Sequence, residues 1–171
     1  MAGYRKGRKY AETWMKKAER AGGIDAVNCC IEALKRDPEY LEAWVEMITM
    51  IGDLYIDDAT SNALSNIDLF KDTMSKPREE GESSVSNILR AIDFCADKAI
   101  SLNPKSIDAW YEKGYAYLGW TGRNVFDTRI KCFERVVELD PDDAKSWYFL
   151  GEAIAKRGDR YDDKDIDDPE K

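Results

Sequence analysis

Three eight-residue segments of this chain align without a gap: "DPEYLEAW" at 37–44, "NPKSIDAW" at 103–110 and "DPDDAKSW" at 140–147. Each opens with Asp or Asn before proline and places a tryptophan six residues after that proline. The flanks agree as well. Upstream, "IEALKR", "DKAISL" and "ERVVEL" each read as the end of an amphipathic helix. Downstream, Trp110 is followed by Gly114 and Tyr117, and Trp147 by Leu150, Gly151 and Ile154. Such a repeat constrains the fold more than any other feature, because a unit that cannot bury both its faces must stack on neighbours.

The proline cannot continue the preceding helix, yet its fixed φ suits the first turn of the next. A tryptophan one to two turns in, with glycine four residues later, lets another helix approach beside a large ring. Each unit is therefore helix, tight turn, helix. The pattern predicts helices near 6–21, 24–36, 39–56, 84–102, 105–119, 124–138 and 142–157. Residues 57–83 form an insertion. Ala63, Ile67, Phe70 and Met74 recur there at helical spacing, which predicts a further helix over 61–75. That helix can run on from the one before it, since Trp44, Ile48, Ile51, Tyr55 and Ala59 share a stripe. "SKPREEGESS" at 75–84 reads as a polar loop. The last helix has no partner after it, and Lys145, Glu152, Lys156 and Arg157 suit a solvent-facing cap. One helical domain over 1–157 and an acidic, unstructured tail over 158–171 follow.

The motif resembles that of the tetratricopeptide repeat family. Its Trp, Leu-Gly and Tyr positions appear as Trp147, Leu150, Gly151 and Ile154, and as Trp110, Gly114 and Tyr117. The small residues of the second helices are Ala33, Ala99 and Val136, closed by Pro38, Pro104 and Pro141. The resemblance covers about 120 residues, as about three and a half repeats with an insertion in the second. Departures are Lys113 for the usual leucine, Met47 and Ile48 for Leu-Gly, and Arg129 for a small residue. The prolines are also spaced 66 and then 37 residues apart, against a family period of 34. The resemblance implies an all-α fold, a right-handed superhelical stack of antiparallel helix pairs. In such an α-solenoid the first helix of each repeat lines a concave groove that holds an extended peptide or a helix.

Chemistry is sparse. The chain has no histidine, which removes the usual general base and the commonest transition-metal ligand. Cys29, Cys30, Cys95 and Cys132 form no C-x-x-C pair, and Cys29, Cys95 and Cys132 fall on apolar helix stripes, so the cysteines read as reduced thiols of a cytosolic protein. No glycine-rich phosphate loop occurs. "DKDIDD" at 163–168 begins like a calcium loop, but Asp168 and Pro169 replace what should follow and the closing glutamate is missing. These features predict no catalytic residue, no cofactor and no metal. The basic start lacks the apolar segment of a secretory signal, and no apolar run approaches the ~20 residues that span a bilayer.

What remains is recognition by a surface. Carried onto this chain, the groove implied by the resemblance is lined by Glu42, Val45, Glu46 and Thr49, then by Asp108, Tyr111, Glu112 and Tyr115, with Tyr148 and Glu152 from the last helix. Family members that grip a chaperone's terminal carboxylate use lysine, arginine and asparagine there. Glu46, Asp108 and Glu112 would repel a carboxylate, which argues against such a partner. The expected function is a non-enzymatic adaptor or scaffold whose protein or peptide partner combines basic residues with apolar or aromatic anchors. A second reading is a nucleic-acid accessory protein. Residues 1–20 carry seven Lys or Arg against two Glu, so Arg5, Lys6, Arg8 and Lys9 could meet phosphate. With a net charge of −8 over the whole chain, the remaining body would repel it. A third is a regulatory or self-assembling subunit, and the sequence leaves the oligomeric state open.

Overall fold

The computed structural model describes residues 2–54, 58–74, 86–120 and 123–161, and no strand occurs among them. The fold is all-α, as the periodicity predicts. In chain order the helices are α1 (Ala2–Ala18), α2 (Gly23–Leu34), α3 (Leu41–Gly52), α4 (Asp58–Ser65), α5 (Lys71–Met74), α6 (Ser86–Leu102), α7 (Ile107–Ala116), α8 (Arg123–Leu139) and α9 (Ala144–Tyr161). A short 3-10 turn at Asp68–Phe70 precedes α5. The chain forms two compact units, Met1–Ser106 and Ile107–Lys171.

The repeated turn has one local design. Each preceding helix closes with the backbone N–H of the Asp or Asn donating four residues back: Asp37 to Ala33 at 3.0 Å, Asn103 to Ala99 at 3.0 Å, Asp140 to Val136 at 2.8 Å. The same residue's side chain then reaches over the proline. Asp37 Oδ1 accepts from the N–H of Glu39 (3.2 Å), Asn103 Oδ1 from Lys105 (3.0 Å) and Asp140 Oδ1 from Asp142 (3.2 Å). Asp and Asn are the residues whose short side chains can bridge a turn in this way. The tryptophan six residues on completes it. Trp44 Nε1–H donates to the Pro38 carbonyl at 2.9 Å, and Trp147 Nε1–H to the Pro141 carbonyl at 2.8 Å. The indole thus satisfies a carbonyl that the proline turn would leave without a partner.

In the first unit, α1 packs on α2, α2 on α3, and α3 on α6. Trp44 is 5% exposed and meets Phe94 of α6 edge-on at 6.0 Å. The insertion adds to this core, since Leu64 and Phe70 are fully buried and Phe70 meets Phe94 at 5.8 Å. It differs from the single helix expected over 61–75. α4 stops at Ser65, where the Asn66 side-chain amide donates to the Asn62 carbonyl (2.9 Å), and the 3-10 turn redirects the chain so that Phe70 points inward. Nor does α3 extend to 56: it ends at Gly52, a poor helix former, with Asp53 as its cap. The expected loop at 75–84 lies outside the described residues.

The second unit is α7 on α8 and α8 on α9, around Ile130, Phe133, Val137, Leu150 and Ala153. Gly114 makes the α7–α8 approach close. A Cβ built there would lie 3.0 Å from both Cys132 Cβ and the Phe133 ring. α7 ends at Ala116 rather than 119, because Gly119 turns the chain at φ +87°, a region that favours glycine. α9 extends to Tyr161, past the predicted 157, and residues 162–171 of the predicted tail lie outside the description. Its outward surface is less polar than expected. Ser146, Leu150 and Ala153 face α8, while Trp147, Tyr148 and Ile154 are 52%, 67% and 47% exposed.

Arg129, which departs from the repeat pattern, is 1% exposed. Its Nη2–H donates to Glu152 Oε2 at 2.5 Å, joining α8 to α9, and its Nε has no hydrogen-bond partner.

Candidate partner-binding surfaces

In the first unit the predicted residues divide. The Glu42 carboxylate is not free for a partner: it accepts from Arg8 Nη2 at 3.0 Å, while Arg8 Nη1 donates to Asp37 at 3.1 Å. The guanidinium carbon lies 3.6 Å over the centre of the Tyr40 ring. This arrangement bears equally on the basic N-terminal segment. Arg8 is folded onto the body as part of α1, so it does not belong to a free cationic arm. The side chains of Arg5 and Lys6 lie outside the described residues, and Lys9 is exposed. Val45, Glu46 and Thr49 are half-buried on α3. Glu46 and Thr49 line a cleft of about 280 Å³ against the α1–α2 turn, with Glu19 and Asp53 as further carboxylates.

A second cavity in this unit escaped the sequence. About 690 Å³ in volume, it is walled by Ile31 and Leu34 of α2, by Pro38 and Trp44, and by Ile67 and Leu69 of the insertion. Only the unexpected turn after α4 brings Ile67 and Leu69 there. Spacing alone did not reveal it.

In the second unit, Asp108, Tyr111, Glu112 and Tyr115 follow one another along α7, and Tyr148 and Glu152 come from α9. Asp108 is exposed, Tyr111 and Glu112 are half-buried, and Tyr115 is 45% exposed. The rings form a continuous pad. Tyr111 and Tyr115, one helical turn apart, stack with centroids 5.9 Å apart and planes 12° from parallel. Tyr115 meets Phe149 at 5.7 Å, and Phe149 meets Tyr148 at 5.4 Å and the buried Phe133 at 5.3 Å. Tyr111 also closes on Phe133 edge-on at 6.0 Å. Tyr111, expected on the partner-facing side, thus serves the core and the surface together. Phe149 is the member that sequence reasoning missed. It neighbours Tyr148 on α9, and only the helix contact shows that it underlies both exposed tyrosines.

Charge around the pad is acidic but uneven. Burial raises the Tyr111 phenol above its ordinary pKa, and the negative charges of Glu112 and Asp143 add to that. Glu152 is engaged from two sides, by Lys156 at 2.7 Å and by Arg129, and these bonds hold its carboxyl below the usual range. It is a structural acid on α9, and so is Asp143, which accepts from Ser146 Oγ at 2.6 Å and from the Lys145 N–H at 3.1 Å; Asp108 and Glu112 on α7 are further carboxylates of this unit.

No cluster able to hold a metal occurs among the described residues. Cys30, Cys95 and Cys132 are buried and Cys29 half-buried. Burial pushes the Cys30 thiol up to about 12 and Cys95 well above its ordinary value, which disfavours the nucleophilic thiolate. No described helix is long and apolar enough to cross a membrane.

No family model matches this chain. It is 29% identical over 163 residues to the peroxisomal targeting signal receptors of Komagataella phaffii (strain GS115) and Komagataella pastoris, across 86% of this chain and 27% of theirs. The receptor of the same name in Candida albicans is 27% identical over 161 residues, across 85% of this chain and 26% of its own. The chain therefore spans about a quarter of the length of the curated relatives it matches. Among solved structures, the MamA protein aligns over 92% of this chain and 85% of its own, with 17% identity and a TM-score of 0.38.

Proposed function

We propose that this chain is a non-enzymatic adaptor or scaffold whose second unit receives a segment of a partner protein on the face made by α7 and α9. The partner segment combines aliphatic or aromatic anchors with Lys or Arg. One observation carries this reading: Tyr115 and Tyr148 stand open to solvent on rings that the core holds in place, with Asp108, Glu112 and Asp143 alongside. Rigid aromatics offer contact area at small entropic cost, and the carboxylates favour a basic segment over an acidic one. The relatives are named as receptors of a targeting signal, which supports recognition of another protein as the role. A chain without histidine, in which burial disfavours the thiolates of Cys30 and Cys95, has little to offer as a catalyst.

Asp108 and Glu112 argue against a partner gripped by its terminal carboxylate, which they would repel. The nucleic-acid alternative loses Arg8, already held by Asp37, Glu42 and Tyr40. The test is calorimetric titration of blocked peptides, some pairing Lys or Arg with Leu or Phe and some acidic. The Asp108→Lys, Glu112→Lys double variant is expected to bind the basic set about tenfold more weakly. Equal affinity of wild type and variant for the basic set would sink the reading.

A further inference from the structure

The seam at Gly114 has a second copy that nothing among the described residues fills. On α7, Cys132 and Phe133 of α8 come within 3.0 Å of where a Gly114 Cβ would stand. On α9 the aligned Gly151 has no atom within 4 Å of the same point. Glycine is a poor helix former, and its place inside a helix fits a site where another helix must come close. Trp147 and Ile154, one turn to either side, are 52% and 47% exposed. Gly158, a turn further on, continues the line, and the exposed Ala144 and Ala155 flank it.

This stripe carries no charge. At about 100° per residue, Lys145, Glu152, Lys156 and Arg157 all lie about 100° or more round from Gly151. It is also separate from the ring pad, since Phe149, which α9 turns towards Tyr115, lies about 160° round. A basic segment finds no counter-charge here. What fits is an uncharged helix face that alternates large and small residues, and α9 is itself such a face. In one antiparallel register each Ile154 lies over the partner's Gly151 and each Trp147 over the partner's Gly158. Every large side chain then meets a glycine, and every contact is made twice about a twofold axis. Charge favours this direction. Asp142 and Asp143 stand before α9, with Lys156 and Arg157 in its later turns, so antiparallel helices bring opposite signs together and parallel ones like signs. Asp143 and Arg157 are already bonded, to Ser146 and Asp127, so charge sets the direction and the apolar stripe supplies the contact. We infer that two copies of this chain pair through Trp147, Gly151, Ile154 and Gly158, with their α9 helices antiparallel.

Sedimentation velocity of the full chain over about 1–200 µM tests this. The mass is expected to rise from one chain to two with a midpoint on the order of 10 µM, because a single helix face lies at the small end of specific interfaces. Below that concentration the chain is a single copy, with Trp147 and Gly151 open as described. Trp147→Glu places a charge on the stripe, and Gly151→Leu closes the gap that receives Ile154. Each should weaken pairing more than about tenfold with helical circular dichroism unchanged, while Lys145→Ala, off the stripe, should leave it as it is. The register has its own readout. When Gly151→Cys and Ile154→Cys chains are mixed equally and oxidised, the mixed disulfide-linked pair should exceed either like pair. A one-chain mass at every concentration overturns the pairing and leaves the stripe to another apolar helix. Growth beyond two copies, a dimer that both stripe variants keep, or an excess of like-with-like links overturns this arrangement as well.

Discussion

Trp44 and Trp147 hold the same place in the repeat and donate the same indole hydrogen bond, yet one is 5% exposed and the other 52%. The turn geometry is therefore a local property, written in the Asp-Pro step and the six-residue spacing. Burial is not. Trp44 is covered because α6 brings Phe94 against it, whereas Trp147 stands half open on α9. The glycines repeat the lesson. Gly114 has Cys132 and Phe133 at 3.0 Å from a built Cβ, and the aligned Gly151 has nothing within 4 Å. One motif supplies a covered seam in one place and an open face in the other.

The sharpest way to break this comparison is to remove the two rings. Trp44→Ala is expected to cost about 3–5 kcal/mol, the loss typical of a large core aromatic. Trp147→Ala should cost about 1 kcal/mol, near the value of its one hydrogen bond. Urea denaturation followed by circular dichroism measures both, and similar losses would mean that Trp147 is covered in solution. The next contrast concerns what holds α9. Glu152→Gln leaves the buried Arg129 without its counter-charge and should cost about 3 kcal/mol, whereas Arg129→Met, which removes the buried charge, should come close to neutral.

The glycine pair comes third. Gly114→Ala should destabilise by about 1–2 kcal/mol, because Cys132 Cβ is fixed to a helix backbone and cannot swing aside. Gly151→Ala should stabilise by about 0.5–1 kcal/mol, since alanine is the better helix former and meets no neighbour. A loss at Gly151 would indicate that another helix already uses the gap. A change of pH reads the Glu152 contribution from the other side. The folded state lowers the Glu152 pKa through Lys156 first and Arg129 second, so this carboxylate's contribution is complete above its ordinary value of 4.5. It is lost as pH falls through that value towards the depressed one. Thermal melts of wild type and Glu152→Gln should therefore converge as acid is added.

How much of this was legible follows from the range of each interaction. The turns were readable because their bonds join residues two to six apart, as in Asp37 to Glu39 and Pro38 to Trp44. Helix ends were less so. α7 stops early at Ala116, ahead of Gly119, whose positive φ follows from where the chain must turn rather than from the apolar pattern. The partner-facing acids were the least legible. Glu42 and Glu152 looked like free surface carboxylates, but Arg8 and Arg129 reach them from 34 and 23 residues away. Arg129 did stand out as a departure from the repeat. Its reason became visible only with Glu152 opposite it. The ring pad was half legible: Tyr111 and Tyr115 fall on one stripe of one helix, while Phe149 joins them through helix packing.

The proline–tryptophan turn also has a consequence in time. Its hydrogen bonds close loops of a few residues, so they form at little entropic cost and need nothing from elsewhere in the chain. Contacts such as Trp44 with Phe94 must wait until the whole insertion has been drawn in. Short-range contacts favour fast folding and long-range ones retard it. The Asp140–Trp147 turn should therefore be among the first structures to appear during refolding, and the seam around Trp44 among the last.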